Sequence, residues 1–552
     1  MKSIVQAKAS RRQFLGGALS LGAASVLTAC GVDSTSGGGS GSKAASQIIT
    51  AWPADVTTLD PVLGVSSPDW EVAFNIYERL VSPKFIADGN GALVWDGLEL
   101  QPQLADFTLD KDTVTFKIRQ GAKFYPTGNP VTADDVIFTI QRIFDLGANS
   151  GNVSGIQKME QIKKVDDQTI TINMLGFDGQ PITADLFTIT VFREPEYGIV
   201  DSVEVKKHAT SSDPTGSNWL KNNPAGTGPY YIKSRTPGQS IQLEAVPGYS
   251  PAPAYKSATI QIIGAGSVLA LLKGGSVNLA VYGLTQNDVN SLSGDKSVSV
   301  IYAKAPEFTL LELGTNGGPF ADQTVRQAVG YTLPYDEIIN EVYYGHAAKM
   351  ESYVTTDAAG YTPAWSQYTT DISKAKALMS QAGNPKVSVP LHYINSDPQM
   401  QDVATLIKSS ASQAGIEFVL TPELPAAFQA LITNRATKGE GSPDALLIKW
   451  GSWIDDAALP VLYYSTKGGD GVNNYPMWST PQLDKISDDE TFAAPGAARD
   501  AAYKQAQEIA ADGAALFPIT QASRIAVLGS GMTDVSFSPE LALRYWTIKP
   551  ST

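Results

Sequence analysis

The chain has 552 residues, 43% hydrophobic and 17% charged, so it can bury large cores, and its length calls for two or three of them. Its net charge is −14, and loss of the four cations in the first 29 residues takes it to −18, a sign that opposes nucleic-acid binding. One cysteine, Cys30, excludes a disulfide scaffold.

The first segment carries Lys2, Lys8, Arg11 and Arg12, no acidic residue, and then an apolar small-residue run from Phe14 to Ala29. A basic start and a short apolar core describe an export signal at residues 1–29, and the run falls short of the roughly 20 residues a membrane span needs. Ser10-Arg11-Arg12-Gln13-Phe14-Leu15 resembles a twin-arginine address, and Leu27-Thr28-Ala29-Cys30 resembles a lipobox whose cysteine is acylated. Residues 30–46 are mostly Gly, Ser and Ala and read as a flexible tether spanning roughly 20 Å. The expectation is an exported protein held at the outer face of the cell membrane by a lipid on Cys30, on the periplasmic or extracellular side.

Strand and helix patterns alternate beyond the tether. Val114, Phe116 and Ile118 alternate with polar residues as a half-buried strand does, and Ile170 and Ile172 mark another. Thr132-Ala133-Asp134-Asp135 reads as a capping box before a helix carrying Val136, Ile140, Ile143 and Phe144 on one face. Asp371 caps a helix with Ala375, Leu378, Met379 and Ala382 on its apolar face, stopped by Gly383. Ala502, Ala506, Ile509 and Ala510 form a late helical stripe. Three polar segments, Ser211–Pro229, Gly439–Pro443 and Thr466–Pro476, read as long loops. The whole is an α/β or α+β protein with substantial sheets.

Chemistry is conspicuous by what is missing. His208, His346 and His392 have no metal-ligand spacing, and there is no His-Glu-x-x-His, Gly-x-Ser-x-Gly, Walker loop or dinucleotide fingerprint. No metal, cofactor or catalytic residue is expected. The Pro in Gly226-Thr227-Gly228-Pro229-Tyr230 forbids a helix opening onto phosphate, so this is a tight structural turn. A carboxylate pair for glycan or peptide hydrolysis stays open, since two side chains about 5–10 Å apart in space suffice.

A set of phrases runs through the chain in order: Thr58-Leu59-Asp60-Pro61, Asn75-Ile76-Tyr77-Glu78-Arg79-Leu80-Val81, Pro102-Gln103-Leu104-Ala105, Val114 to Phe124, Pro130 to Val136, Gly226 to Tyr230, Val325-Arg326-Gln327-Ala328 and Gly345-His346-Ala347. Over residues 47–520 they resemble the extracytoplasmic solute-binding proteins of ABC importers, family 5, the dipeptide/oligopeptide-binding class. The resemblance implies a two-lobed, periplasmic-binding-protein-like α/β fold of type II with an extra domain inserted in the first lobe. It maps the first lobe onto 47–92, 215–305 and 520–552, the insert onto 93–214, and the second lobe onto 306–519, with crossings near Leu311–Asn316 and Phe517–Ala522. It implies a monomer that captures a peptide or other small solute between the lobes and hands it to an ABC permease with its ATPase subunits, without chemistry.

Peptide-binding relatives use an aspartate after a Gly-Trp phrase to hold the peptide amine. Here the stretch is Lys449-Trp450-Gly451-Ser452-Trp453-Ile454-Asp455-Asp456. One register puts Trp453 in the aspartate's place; another displaces the carboxylate to Asp455 or Asp456. Trp450 and Trp453 can stack on a ring or a cation. Tyr77 and Glu78 from the first lobe, and Asn474 and Tyr475 from the third loop, complete the candidate ligand-binding set.

Overall fold

The computed structural model describes residues 47–64, 66–89, 91–148, 155–303, 305, 307–438, 444–451, 456–466, 474–538 and 542–551. Cys30, Trp453 and Asp455 lie outside the described residues. No described helix is long and apolar enough to cross a membrane.

In chain order, β1 (Ile48–Trp52) leads through helix α1 (Ser67–Ile76) to β2 (Val81–Ala87) and β3 (Ala92–Pro102). Next come β4 (Ala105–Asp110), β5 (Thr113–Ile118), helix α2 (Ala133–Asp145), β6 (Ile162–Asp166) and β7 (Thr169–Asn173). β8 (Tyr230–Thr236), β9 (Ser240–Ala245), β10 (Ser257–Ile262), β11 (Leu279–Ala280) and β12 (Val298–Ala303) follow. Then the chain forms β13 (Glu307–Leu313), β14 (Ala347–Lys349), β15 (Val387–Ile394), β16 (Ile416–Glu423), β17 (Ala445–Gly451) and β18 (Leu516–Ala522). It ends through β19 (Arg524–Gly529), β20 (Met532–Thr533) and β21 (Val535–Ser536).

Two mixed sheets dominate. One has seven strands in the order β12-β19-β11-β1-β10-β9-β8; the other has six, β14-β18-β13-β17-β15-β16. β1 runs parallel to β10 and β11 in the first sheet, and β15 runs parallel to β16 and β17 in the second. A smaller antiparallel sheet, β4-β5-β7-β6, carries α2, and β2-β3-β21 forms a fourth. Each of the three larger sheets has its own apolar core. An insertion beginning at residue 93 would divide β3, which is continuous from Ala92 and pairs with β21 near the chain's end.

Local chemistry explains the elements. Val114, Phe116 and Ile118 point into one core while Thr115 and Lys117 face out. The capping box at α2 is made: Asp135 accepts from the Thr132 N–H and hydroxyl at 2.8 and 2.9 Å, and Val136, Ile140 and Ile143 are buried. Asp371 accepts from the Lys374 N–H at 2.9 Å, and Gly383 closes that helix at φ 82°. Gly226 and Gly228 let the turn press on α1: a Cβ on Gly226 would sit 2.1 Å from the Ile76 carbonyl oxygen.

The phrases quoted from the sequence meet one another. Asp60 pairs with Arg142 of α2 at 2.5 Å with both side chains buried, and Glu78 pairs with Arg119 at 3.0 Å. Arg326 donates to the carbonyls of Gly513 and Phe320, both at 2.8 Å, and so binds a helix start to the helix ahead of β18.

The chain passes between the two large sheets twice, from Ala303 to Glu307 and from Ala522 to Arg524. This corrects the crossings expected near Leu311–Asn316 and Phe517–Ala522. Leu310, Leu311, Leu313, Phe517 and Ile519 are buried within central strands β13 and β18, which pair with each other, so those runs belong to the sheet and not to its exit.

Candidate functional site

A cavity of about 490 Å³ lies at the double crossing. Its walls come from Val281, Leu284, Thr285, Gln286 and Asn287 after β11, from Ala305, Glu307 and Thr309, from the turn around Tyr343, from Asp397, Gln399 and Asp402 after β15, from Lys449 of β17 and from Ala522, Ser523, Arg524 and Ile525. β11, β15 and β17 therefore reach it with their carboxyl ends, the crevice in which open α/β sheets bind ligands. Its size falls within the range of small-molecule sites.

The walls are polar by construction. Asp397 caps the helix Pro398–Ser412 by accepting from the Gln399 N–H at 3.0 Å, and its other oxygen takes the Lys449 ammonium at 2.5 Å. Burial acts against the Lys449 charge, but Glu307, Asp397 and Tyr343 around it outweigh this and hold its pKa above the ordinary lysine value. Tyr302 stacks on His346 with ring centroids 3.6 Å apart. Two lining side chains are buried with unused hydrogen-bonding capacity. Tyr343 is 2% exposed and its hydroxyl has no hydrogen-bond partner among the described residues. Gln286 is 7% exposed, and its amide nitrogen, beside the Tyr302 hydroxyl, reaches no acceptor in hydrogen-bonding geometry.

A buried carboxylate stands behind this wall. Glu71 of α1 accepts from the Tyr545 hydroxyl at 2.5 Å and the Tyr282 hydroxyl at 2.9 Å, and the Arg524 guanidinium lies 5.2 Å from the Tyr282 ring centre. Burial raises the Glu71 carboxyl to about 7 against the lowering pull of its hydrogen bonds and Arg524. The network ties the 281–287 wall and the second crossing to α1 and the C-terminal segment.

The residues singled out from the sequence are placed as follows. Trp450 is buried against Phe308 and Tyr463, at ring distances of 5.3 and 5.6 Å. It pairs across the ladder with Phe308, whereas its neighbour Lys449 pairs with Thr309, so Trp450 and Lys449 point to opposite faces of the sheet. Asp456 is buried and held bidentately by Arg499 at 2.9 Å to each oxygen, and it also accepts from the Ala458 N–H. Asn474 staples its loop, accepting from the Trp478 N–H at 3.1 Å and donating to the Trp478 carbonyl at 2.9 Å; Tyr475 beside it is buried. Tyr77 is buried with its hydroxyl donating to the Leu59 carbonyl at 2.9 Å, and the buried Glu78 also accepts from the Tyr249 hydroxyl at 3.0 Å. None of these described residues lines the cavity. Lys449, quoted in the sequence only as the start of a phrase, does, with Gln286, Glu307, Tyr343 and Arg524. Strand alternation around Phe308 and Trp450 is the signal that points to Glu307, Thr309 and Lys449.

Comparison with known proteins defines the class. Residues 99–471 match the family described as bacterial extracellular solute-binding proteins, family 5 Middle, and the chain belongs to that family. It is 27% identical over 496 residues to the probable D,D-dipeptide-binding periplasmic protein DdpA of Escherichia coli K12, covering 88% of this chain and 91% of that one. Among solved structures it is similar to DppA of Helicobacter pylori in complex with the peptide STSA, with a TM-score of 0.71, 21% identity and coverage of 92% and 98% of the two chains. It is also similar to MoaA of A. tumefaciens R10 in complex with mannopinic acid, with a TM-score of 0.74, 20% identity and coverage of 92% and 99%. The fold is the two-lobed, periplasmic-binding-protein-like α/β fold.

Proposed function

We propose that the protein is the solute-binding subunit of an ABC importer, taking up peptides or peptide-like solutes in the cavity between its two large sheets and passing them unaltered to a membrane permease powered by partner ATPase subunits. One observation carries the reading: the cavity sits where the carboxyl ends of strands from both sheets meet at two chain crossings, and it holds buried polar side chains with unused hydrogen-bonding capacity. Two short crossings suit a hinge, and a solute that touches both walls favours the closed state. The peptide class is supported by what the relatives' names and complexes say of those proteins.

In this reading the first lobe centres on the seven-stranded sheet, the second on the six-stranded sheet, and the insert on β4–β7 with α2. Trp453 and Asp455, which follow β17 at its carboxyl end, are proposed solute contacts. Trp450, Asp456, Asn474 and Tyr475 brace that end from the packed face, and Tyr77 and Glu78 brace the first lobe against the insert. The signal in residues 1–29, the acyl anchor on Cys30, residence at the outer face of the membrane and a monomeric state complete the proposal. Isothermal titration with short peptides, followed by mass analysis of the released compound, tests it. One equivalent bound and recovered intact is expected; cleaved product would instead favour a secreted hydrolase, and no binding would remove peptides as the solute class.

A further inference from the structure

The charges of the cavity do not balance. Its lining holds four carboxylates, Glu307, Glu341, Asp397 and Asp402, against the two permanent cations Lys449 and Arg524. Both cations have a carboxylate near them. Lys449 is paired with Asp397, and Arg524 faces Glu71, whose carboxyl sits behind the wall and is lowered by the guanidinium. Lys449 is shared between Asp397 and Glu307, and the lining as a whole carries two more carboxylates than permanent cations. Glu307 is half-buried on β13 beside Lys449, whereas Glu341 and Asp402 are exposed at the rim. A half-buried charge is screened less than a rim charge, so Glu307 dominates what the cavity prefers.

The remaining lining agrees with a cation. Tyr343 and Tyr344 from the turn bring aromatic surface to the same space, and aromatic faces attract cations. The idle Tyr343 hydroxyl can accept from an ammonium or guanidinium, while the idle Gln286 amide nitrogen on the facing wall can donate to a peptide carbonyl. Resting on the reading that this cavity is the solute site, we infer that its solute is cationic: a short peptide with a basic side chain, whose charged group sits against Glu307. This carboxylate would stand in for the relatives' amine-binding aspartate, whose place in the Trp450–Asp456 stretch is taken by Trp453 or shifted to Asp455 or Asp456. A carboxylate from the opposite crossing strand does its work.

Calorimetric titration at pH 8, where Glu71 is ionised, separates the outcomes with three tripeptides: Ala-Lys-Ala, Ala-Ala-Ala and Ala-Glu-Ala. The proteins are the wild type, Glu307→Gln, and Asn287→Trp, which puts a bulky ring on an exposed lining position. Ala-Lys-Ala should bind the wild type about tenfold more tightly than Ala-Ala-Ala, and Ala-Glu-Ala should bind weakest. Glu307→Gln should erase most of the preference for Ala-Lys-Ala over Ala-Ala-Ala, with its fold checked by circular dichroism. In 0.5 M salt the preference should shrink. Equal affinities, a preference for Ala-Glu-Ala, or an unchanged preference in Glu307→Gln overturns the inference while leaving the site intact. Absence of binding by all three, or undiminished binding to Asn287→Trp, overturns the site itself and the inference with it.

Discussion

Replacing Glu71 by Gln tests the network behind the cavity wall. Glu71 is fully buried, and three donors reach it: the Tyr545 and Tyr282 hydroxyls and the Leu543 N–H at 3.4 Å. Burial, the largest effect, lifts its carboxyl from 4.5 to about 7. Between those two values the folded protein holds a proton that the unfolded chain has released. The stability contributed by that proton is complete below pH 4.5 and is lost as pH rises through 7. The gap corresponds to about 3 kcal/mol, since each tenfold change in proton affinity is worth about 1.4 kcal/mol. A glutamine titrates nowhere in this range. The wild type should therefore lose about 3 kcal/mol more than Glu71→Gln between pH 4.5 and pH 8 in urea unfolding. His392, held between Glu423 at 2.9 Å and Asp444 at 3.4 Å, also loses stabilisation as pH rises, because its pKa is raised against burial by those carboxylates. That contribution is common to both proteins and cancels in the difference. Parallel pH profiles would refute the reasoning.

Three further outcomes follow from the contacts. Arg499→Met strands the buried Asp456 carboxylate without its bidentate partner and should cost about 3–5 kcal/mol in denaturant midpoint experiments. Gly226→Ala drives a Cβ to 2.1 Å from the Ile76 carbonyl, so α1 and the turn must separate, at a cost of about 2–3 kcal/mol read as a lower melting temperature. Glu341→Gln, at the exposed rim, should alter affinity for a cationic peptide less than about fivefold by titration, because exposed charge pairs contribute about 0.2–1 kcal/mol.

Much of the fold is legible in the sequence because it is written in local patterns. The alternation of Val114, Phe116 and Ile118, the Thr132–Asp135 box and the Asp371 cap each encode an element within a few residues, and each element forms. The crossings were displaced for a physical reason: an apolar run such as Leu310–Leu313 has the same composition whether it leaves a sheet or lies at its centre. The cavity is less legible. Gln286, Glu307, Lys449 and Arg524 are far apart in the chain and converge only through the topology of two sheets. Large aromatic and amide side chains attract attention in a sequence, yet Trp450 and Asn474 use theirs on a core and a loop staple. Lys449 is ordinary as a letter; strand parity turns it towards the cavity. Likewise Glu71 and Tyr545 stand 474 positions apart, beyond any periodicity.

The most direct measurement is native mass spectrometry of wild-type and Asn287→Trp protein purified side by side from the natural host. The cavity account predicts one equivalent of an intact small solute on the wild type and none on the variant, with both proteins equally folded by circular dichroism. The same cargo on both, or cleaved fragments released from the wild type, would contradict it.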